Sequence, residues 1–284
     1  MNQTPAIEET VCPLCQASEH RSAYDFAPYA VVQCRACGLY YLSPRKPAAA
    51  MVPAYADDAY YEGEGSGYTT YTQQTTALRA TFRRFCQHLQ TYQLAGGKLL
   101  EIGCGYGYLL EQAQGLFTQR VGTDFSPHAV ELARSRANHV YLGGIDDLPA
   151  GECYDCIVST NVIEHVYQPQ QFLKQLMARL NPQGSMVIAT PNMNSVLRPL
   201  LGHRWPSFKV PEHVTYFTYT TLTMLMAQAG LVRINPLPYP HAFPLSLIAE
   251  KFGVRLPEQV GKLNVWVPTT MIALYGFLPY EPER

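Results

Sequence analysis

A chain of 284 residues with 47% hydrophobic content can bury one large core and still has length for a small accessory module. Lys+Arg of 21 against Asp+Glu of 22 leaves a net charge of -1, so no overall field favours nucleic acid or an anionic membrane, and a nucleic-acid partner is not expected. No window approaches the roughly 20 apolar residues of a membrane span, and the first ten residues lack a basic-then-apolar leader; the expectation is a cytoplasmic protein with no membrane span.

Residues 1–10 read as a disordered lead-in. Cys12-Pro-Leu-Cys15 and Cys34-Arg-Ala-Cys37 follow, two Cys-x-x-Cys pairs separated by eighteen residues, with strand-like YAVVQC before the second. In a large chain without a secretory leader, that spacing predicts a zinc-ribbon-like module over 1–43. Four thiolates fill a tetrahedral site and leave no position for water, so the predicted Zn2+ is structural. A module this small has too little core to fold alone, and metal binding supplies the missing free energy.

Over 44–71 the composition turns to proline, glycine and tyrosine. Five tyrosines, Tyr55, Tyr60, Tyr61, Tyr68 and Tyr71, fall within seventeen residues, more than a solvated linker needs. This segment is expected to be a linker or lid, with Tyr68 a candidate substrate contact. Leu78, Phe82, Phe85, Leu89 and Tyr92 recur at three- and four-residue steps and predict an amphipathic helix over 72–93, ended by Gly96-Gly97.

The stretch KLLEIGCGYGYLL then reads as strand, tight loop and helix, with Gly103, Gly105 and Gly107 at alternate positions. A strand ends at Asp124, and Ser126 with Pro127 starts a helix to about Ala137. HVYLGG, the segment ending near Thr160 and MVIATPN predict three further strands, with a helix over 168–180 stopped by Asn181-Pro182-Gln183-Gly184. Alternating β and α elements imply a parallel sheet with helices on both faces. Beyond Asn192 the chain is loop-rich and aromatic. A helix capped by Thr220 and closed by Gly230, a strand LVRINPL, a short helix over 245–256 and a last strand over 270–275 complete it. Cys153 and Cys156 form a third Cys-x-x-Cys pair, but in a strand, where residues three apart face opposite sides, so they read as core.

A dinucleotide loop wants Gly-x-Gly-x-x-Gly, yet position 108 is tyrosine and the third glycine falls at 107. Glu101-x-Gly103-x-Gly105-x-Gly107 instead resembles the first motif of class I S-adenosylmethionine-dependent methyltransferases. The resemblance extends over roughly 70–280. VGTDFS, YDCIVSTNVIEHV and LNPQGSMVIATPN are similar to that family's later strand motifs, and PEHVTYFTYTTLTMLMAQAGL resembles a block of the branch grouped with ubiquinone-type O-methyltransferases. It implies a Rossmann-like sheet over 72–284 and S-adenosyl-L-methionine as cofactor. It also implies a cofactor seat built from Glu101, Gly103, Cys104, Gly105, Gly107, Asp124, Phe125, Ile145, Asp146 and Asn161. Asp124, twenty-one residues after Gly103, is the implied acceptor for both ribose hydroxyls. Where the family has an acidic residue for the adenine amino group this chain has Gly144, and Asp146 or Asp147 stands in, Asp146 preferred.

The expected chemistry is in-line methyl transfer to a hydroxyl oxygen of a small molecule or glycan, with histidine removing the proton. His165 is the first candidate base and His213 its rival; His165 could instead only line the site, or Glu164 and His165 could simply orient the loop through hydrogen bonds. Trp205 and Tyr216 are candidate acceptor-pocket walls. The alternatives are C- or N-methylation, or a non-catalytic chain of the same fold that docks a partner protein through the zinc ribbon.

Overall fold

A computed structural model describes residues 7–51, 71–250, 254, 256–261 and 263–279. The lead-in before residue 7, most of the expected lid with Tyr55, Tyr60, Tyr61 and Tyr68, and part of 245–256 lie outside these residues.

Seven strands form the central sheet: β4 (Lys98–Ile102), β5 (Gln119–Asp124), β6 (His139–Leu142), β7 (Tyr154–Thr160), β8 (Leu180–Pro191), β10 (Val232–Pro236) and β13 (Met271–Phe277). Their spatial order is β10-β13-β8-β7-β4-β5-β6. Pairings from β6 through β5, β4 and β7 to β8 are parallel, whereas β13 runs antiparallel to both β8 and β10. This is the expected Rossmann-like sheet. The strand order reverses between β4 and β7, and a doubly wound sheet opens a crevice for ligand beyond the carboxyl ends of the strands at such a point.

The β4 strand separates two cores because its side chains alternate between faces. Leu100 and Ile102 join Ile157, Met186 and Phe217 on one side; Leu99 joins Phe82, Phe85, Leu89 and Leu109 on the other. The second group includes the buried stripe of α1 (Thr75–Thr91), which a short 3-10 turn, Tyr71–Gln74, precedes. Tyr92, expected on that stripe, sits at the helix C-cap and is exposed. After the glycine loop comes α2 (Tyr108–Gln112), and α3 (Pro127–Ala133) begins as predicted: Ser126 Oγ accepts from the Ala129 amide at 3.0 Å and Pro127 occupies the first turn. Next in order are α4 (Pro169–Met177), the short α5 (Leu197–Leu201) and α6 (Tyr219–Ala229).

Two predicted boundaries move. Asn181-Pro182-Gln183-Gly184 does not precede the strand but forms a bulge within β8, where Gln183 takes φ 67 and the register against β7 shifts. The cap of α6 is Thr218, not Thr220: its hydroxyl accepts from the Thr221 amide while Thr221 Oγ1 receives the Thr218 amide, a reciprocal box that Thr220 is two residues too late to make. The segment expected as one helix over 245–256 holds α7 (Leu245–Glu250), and α8 (Glu258–Gly261) follows, with a small hairpin of β11 (Ala242–Pro244) and β12 (Asn264–Trp266) beside them.

The cysteine-bearing module is an antiparallel sheet of β1 (His20–Phe26), β2 (Tyr29–Cys34) and β3 (Tyr40–Leu42). A fourth strand, β9 (Thr215–Tyr216), comes from the far end of the sequence: Tyr40 pairs with Tyr216 and Tyr41 with Thr215. The module is therefore joined to the main body by backbone pairing. An apolar seam of Val31, Leu42, Met193, Trp205 and Tyr216 lies behind it.

Candidate functional site

The glycine loop leaves β4 at the reversal of strand order. Gly103 has φ 70, and a β-carbon there would lie 2.5 Å from Val162 Cγ2, so the loop after β7 closes directly over it. Gly107, at φ 76, would set a β-carbon 3.0 Å from that of Ala133 in α3. Both positions therefore demand glycine for backbone shape and for close approach.

Glu101 and Cys104 lie beneath this loop. Glu101 is 1% exposed, and burial together with the neighbouring Asp124 charge pushes its carboxyl well above the usual range; the Leu110 backbone amide partly offsets this. The N-cap of α2 is Gly107, which has no side chain to offer, and Glu101 serves that helix terminus in its stead. The Cys104 thiol packs where a β-carbon on Gly122 would fall, 2.9 Å away, so its small size is what fits it there.

Asp124 ends β5 with its carboxylate held on both sides: the Gly105 amide donates to Oδ2 at 2.8 Å and the Ser126 amide to Oδ1 at 3.0 Å. Each oxygen can accept more than one hydrogen bond, and the pair is aimed by backbone rather than by a mobile side chain. Beside it Phe125 is 55% exposed, unusual for a ring of its size, and it stands over Gly144, where a β-carbon would come within 3.1 Å of the ring. Ile145 is buried at the start of the next turn. Asp147 folds back so that Oδ2 accepts the Gly144 amide at 2.8 Å, whereas Asp146 is exposed and makes no hydrogen bond among the described residues. This difference leaves Asp146 available to meet a ligand.

Across the crevice, the loop after β7 begins with Asn161 at φ 55, its amide donating to the Ala189 carbonyl at 2.9 Å. A 3-10 turn, Ile163–His165, follows. His165 Nδ1 lies 3.1 Å from the Glu212 carbonyl. A carbonyl only accepts, so Nδ1 holds the proton and Nε2 is the basic nitrogen. The His213 ring meets that of His165 edge-on, centroids 4.6 Å apart at 87°. Burial, then the Lys209 ammonium, drives His165 down to about 3, with the Glu212 carbonyl opposing; His213 is pushed well below its usual value by burial, His165 and Lys209. Both imidazoles are neutral near pH 7.

Glu164, which the sequence offers only as a loop-orienting neighbour of His165, is a member of this largely buried cluster. It is 1% exposed; Oε2 accepts from Thr190 Oγ1 at 2.9 Å, while Oε1 has no hydrogen-bond partner among the described residues. Burial raises its carboxyl to about 7, against the pull of its own backbone, Thr190 and Lys209. Donor atoms of Glu164, His165 and His213 lie within 4.8 Å of one another, neighbours without a hydrogen bond between the carboxyl and either ring. The Tyr216 hydroxyl is likewise without a partner among the described residues, and the His213 ring has at most the Ser207 backbone for its two nitrogens. Buried polar atoms left in this state point to a ligand or water that completes them. The available signal is a carboxylate directly before a histidine in an otherwise apolar stretch, VIEHV.

Trp205 and Tyr216 do not line an open cavity. They are 3% and 2% exposed and enclose Phe208, at ring separations of 4.9 and 5.5 Å, within the seam to the cysteine module.

In that module the four sulfurs converge, with Cys12 to Cys37 and Cys15 to Cys34 each at 3.5 Å and all four within 4.8 Å of one another. A tetrahedral zinc with bonds of about 2.3 Å sets sulfurs roughly 3.8 Å apart, so the donors fit that ion. The two loops match: Gln16 N–H donates to the Cys12 carbonyl and Gly38 N–H to the Cys34 carbonyl, with Gln16 and Gly38 both left-handed, at φ 63 and 79.

Comparison with known proteins speaks to the family and the fold. The profile of a family described as a methyltransferase domain matches residues 73–234. A ubiquinone biosynthesis O-methyltransferase of Bradyrhizobium diazoefficiens is 29% identical over 174 residues, 54% of this chain and 69% of that protein. Among solved structures, an S-adenosylmethionine-dependent methyltransferase of Thermotoga maritima, described as a possible histamine N-methyltransferase, superposes with a TM-score of 0.53 at 18% identity, covering 74% of this chain and 95% of that one. Magnesium protoporphyrin IX methyltransferase of Synechocystis PCC 6803, with bound SAH, gives 0.52 at 12%, covering 82% and 100%. At these identities the two structures speak for the fold.

Proposed function

Because this chain belongs to the methyltransferase domain family and is an S-adenosylmethionine-dependent methyltransferase, we propose that it methylates a hydroxyl oxygen of a small molecule, with His165 receiving the proton. The observation that supports this most is the His165 ring, fixed with Nδ1–H on the Glu212 carbonyl so that Nε2 is the nitrogen able to take up a proton. When bound, S-adenosylmethionine supplies a methyl group already activated on positively charged sulfur, so the chain needs to orient and deprotonate rather than to activate.

Asp124, aimed by the Gly105 and Ser126 amides, suits the vicinal hydroxyls of a ribose because a carboxylate accepts two hydrogen bonds at once. Phe125 and Ile145 offer an apolar face for the adenine ring, and Asp146 an acceptor for its amino group. Gly103, Gly105 and Gly107 let the methionine part approach the backbone, and Asn161 borders it from the opposite loop. On the acceptor side, an imidazole held far below its usual pKa is a reluctant base by itself. Glu164, raised to about 7 and a near neighbour of His165 and His213, favours the imidazolium as it forms when its carboxyl is ionised. His213 adds a polar group to this half.

The test is a screen of phenols and alcohols with donor carrying a trideuteromethyl group, read by mass spectrometry of the product. A methyl ether is expected. A product with the label on nitrogen or carbon overturns the assignment of oxygen, and with it the need for His165.

A further inference from the structure

The cysteine module presents a problem: its sulfurs are distant in sequence from every residue of the proposed reaction, yet its sheet is completed by β9. That strand is only two residues long, Thr215–Tyr216, and cannot hold itself. Its conformation is set from both sides. On one side it pairs with β3, and the Leu42 amide donates to the Val214 carbonyl at 3.0 Å. On the other, the Val214 amide donates to the Glu164 carbonyl at 2.8 Å, Thr215 Oγ1 donates to the Ile163 carbonyl at 3.3 Å, and the Glu212 carbonyl receives His165 Nδ1. The segment 212–216 is thus clamped between the module and the turn that bears Glu164 and His165.

Leu39 links the metal donors to this clamp. Its carbonyl accepts the Cys34 amide at 2.9 Å, closing the second cysteine loop, and β3 begins at the next residue. The glycine loop has no backbone pairing with the module, although Ile102 before it and Ile145 share a core cluster with Cys12, Cys34 and Leu39. Cys104, Tyr106, Tyr108, Leu109 and Leu110 belong to a core cluster with no member from residues 7–51.

We propose that the four-cysteine module is a positioning element for the acceptor half of the site: metal bound by Cys12, Cys15, Cys34 and Cys37 fixes β3, β3 fixes β9, and β9 holds the Glu212 carbonyl and His213 against His165. The inference rests on the reading of His165 and His213 as the acceptor side. It assigns the module to the precision of deprotonation and acceptor binding, and leaves cofactor binding independent of metal.

The test is hydrogen exchange followed by mass spectrometry on the full chain loaded with zinc, before and after stripping by a chelator and after zinc is restored. Titration with S-adenosylhomocysteine in a calorimeter runs in parallel. Stripping is expected to speed exchange at the Leu42, His213 and Val214 amides by about tenfold or more, reversibly, as expected of a locally opened unit. The Cys104, Gly105 and Ser126 amides and the affinity for S-adenosylhomocysteine are expected to change by less than about twofold. The Cys37→Ser variant should reproduce the stripped pattern, without rescue by zinc. Unchanged exchange at Leu42 and Val214 with the metal gone overturns the proposal. Equal acceleration at Cys104 and Gly105 also overturns it, since the metal would then support the whole fold. No acceptor is used, so the outcome does not depend on which atom receives the methyl group.

Discussion

The two halves of the crevice are built differently. The half proposed to seat the cofactor is local: Glu101 through Gly107 and Asp124 through Ser126 lie on or beside adjacent strands, and its polar contacts run from backbone amides to the carboxyl groups of Glu101 and Asp124. The acceptor half is assembled from afar. His165 is oriented by a carbonyl 47 residues away, and the strand beside it is paired with residues 40–41. A seat formed from neighbouring segments survives changes elsewhere in the fold, whereas one held by distant loops depends on each of them.

Substitutions can separate the halves. The largest effect is expected for Gly103→Val, which puts a branched side chain at φ 70 against Val162 Cγ2. Cofactor binding should vanish from calorimetry while zinc content stays at the wild-type level; normal affinity would mean that the cofactor sits elsewhere. His165→Ala should lower kcat by roughly 10²–10⁴-fold, as loss of a general base does, with S-adenosylhomocysteine affinity within about twofold of wild type. An unchanged kcat would remove His165 from the chemistry.

The pH dependence distinguishes the partners within the acceptor half. Glu164 must be ionised to support an imidazolium, so kcat/KM should rise with pH through about 7, and the limb should disappear in Glu164→Gln. His165 itself, held at about 3, adds no limb near 6.5.

In the cofactor half, Glu101→Ala removes a fully buried side chain and the partner of the Leu110 amide. A loss of about 2–4 kcal/mol in chemical denaturation is expected, since cavity and hydrogen-bond terms add. The smallest effect concerns the module. Gln16 occupies the left-handed position that its counterpart Gly38 fills without strain, and Gln16→Gly should stabilise the zinc-loaded module by up to about 1 kcal/mol, seen as a higher resistance to chelator.

The same contrast explains what could be read from the amino-acid order. Glycine spacing, Asp124 and the Ser126 cap are short-range signals, and the sheet followed from hydrophobic periodicity. The four cysteines announced their grouping by spacing alone. By contrast, β1 lacks a clear alternation, and β3 and β9 are too short to show one; the pairing of Tyr40 with Tyr216 has no local signature at all. For that reason Trp205 and Tyr216 read as pocket walls, although both are buried in the seam. The weight of Glu164 beyond orienting its loop was equally hidden, because it comes from burial and from Thr190, 26 residues away. The bulge at Gln183 looked like a turn because its residues are turn residues; neighbouring strands absorbed them.

The most direct test is calorimetric titration of S-adenosylhomocysteine into wild type, Asp124→Ala and His165→Ala. A carboxylate accepting hydrogen bonds from a ligand contributes about 1.5–3 kcal/mol per bond, so Asp124→Ala should weaken binding at least about tenfold while His165→Ala binds as wild type does. Wild-type affinity in Asp124→Ala, or equal losses in both variants, would contradict a cofactor seat at the end of β5 that is separate from the acceptor half.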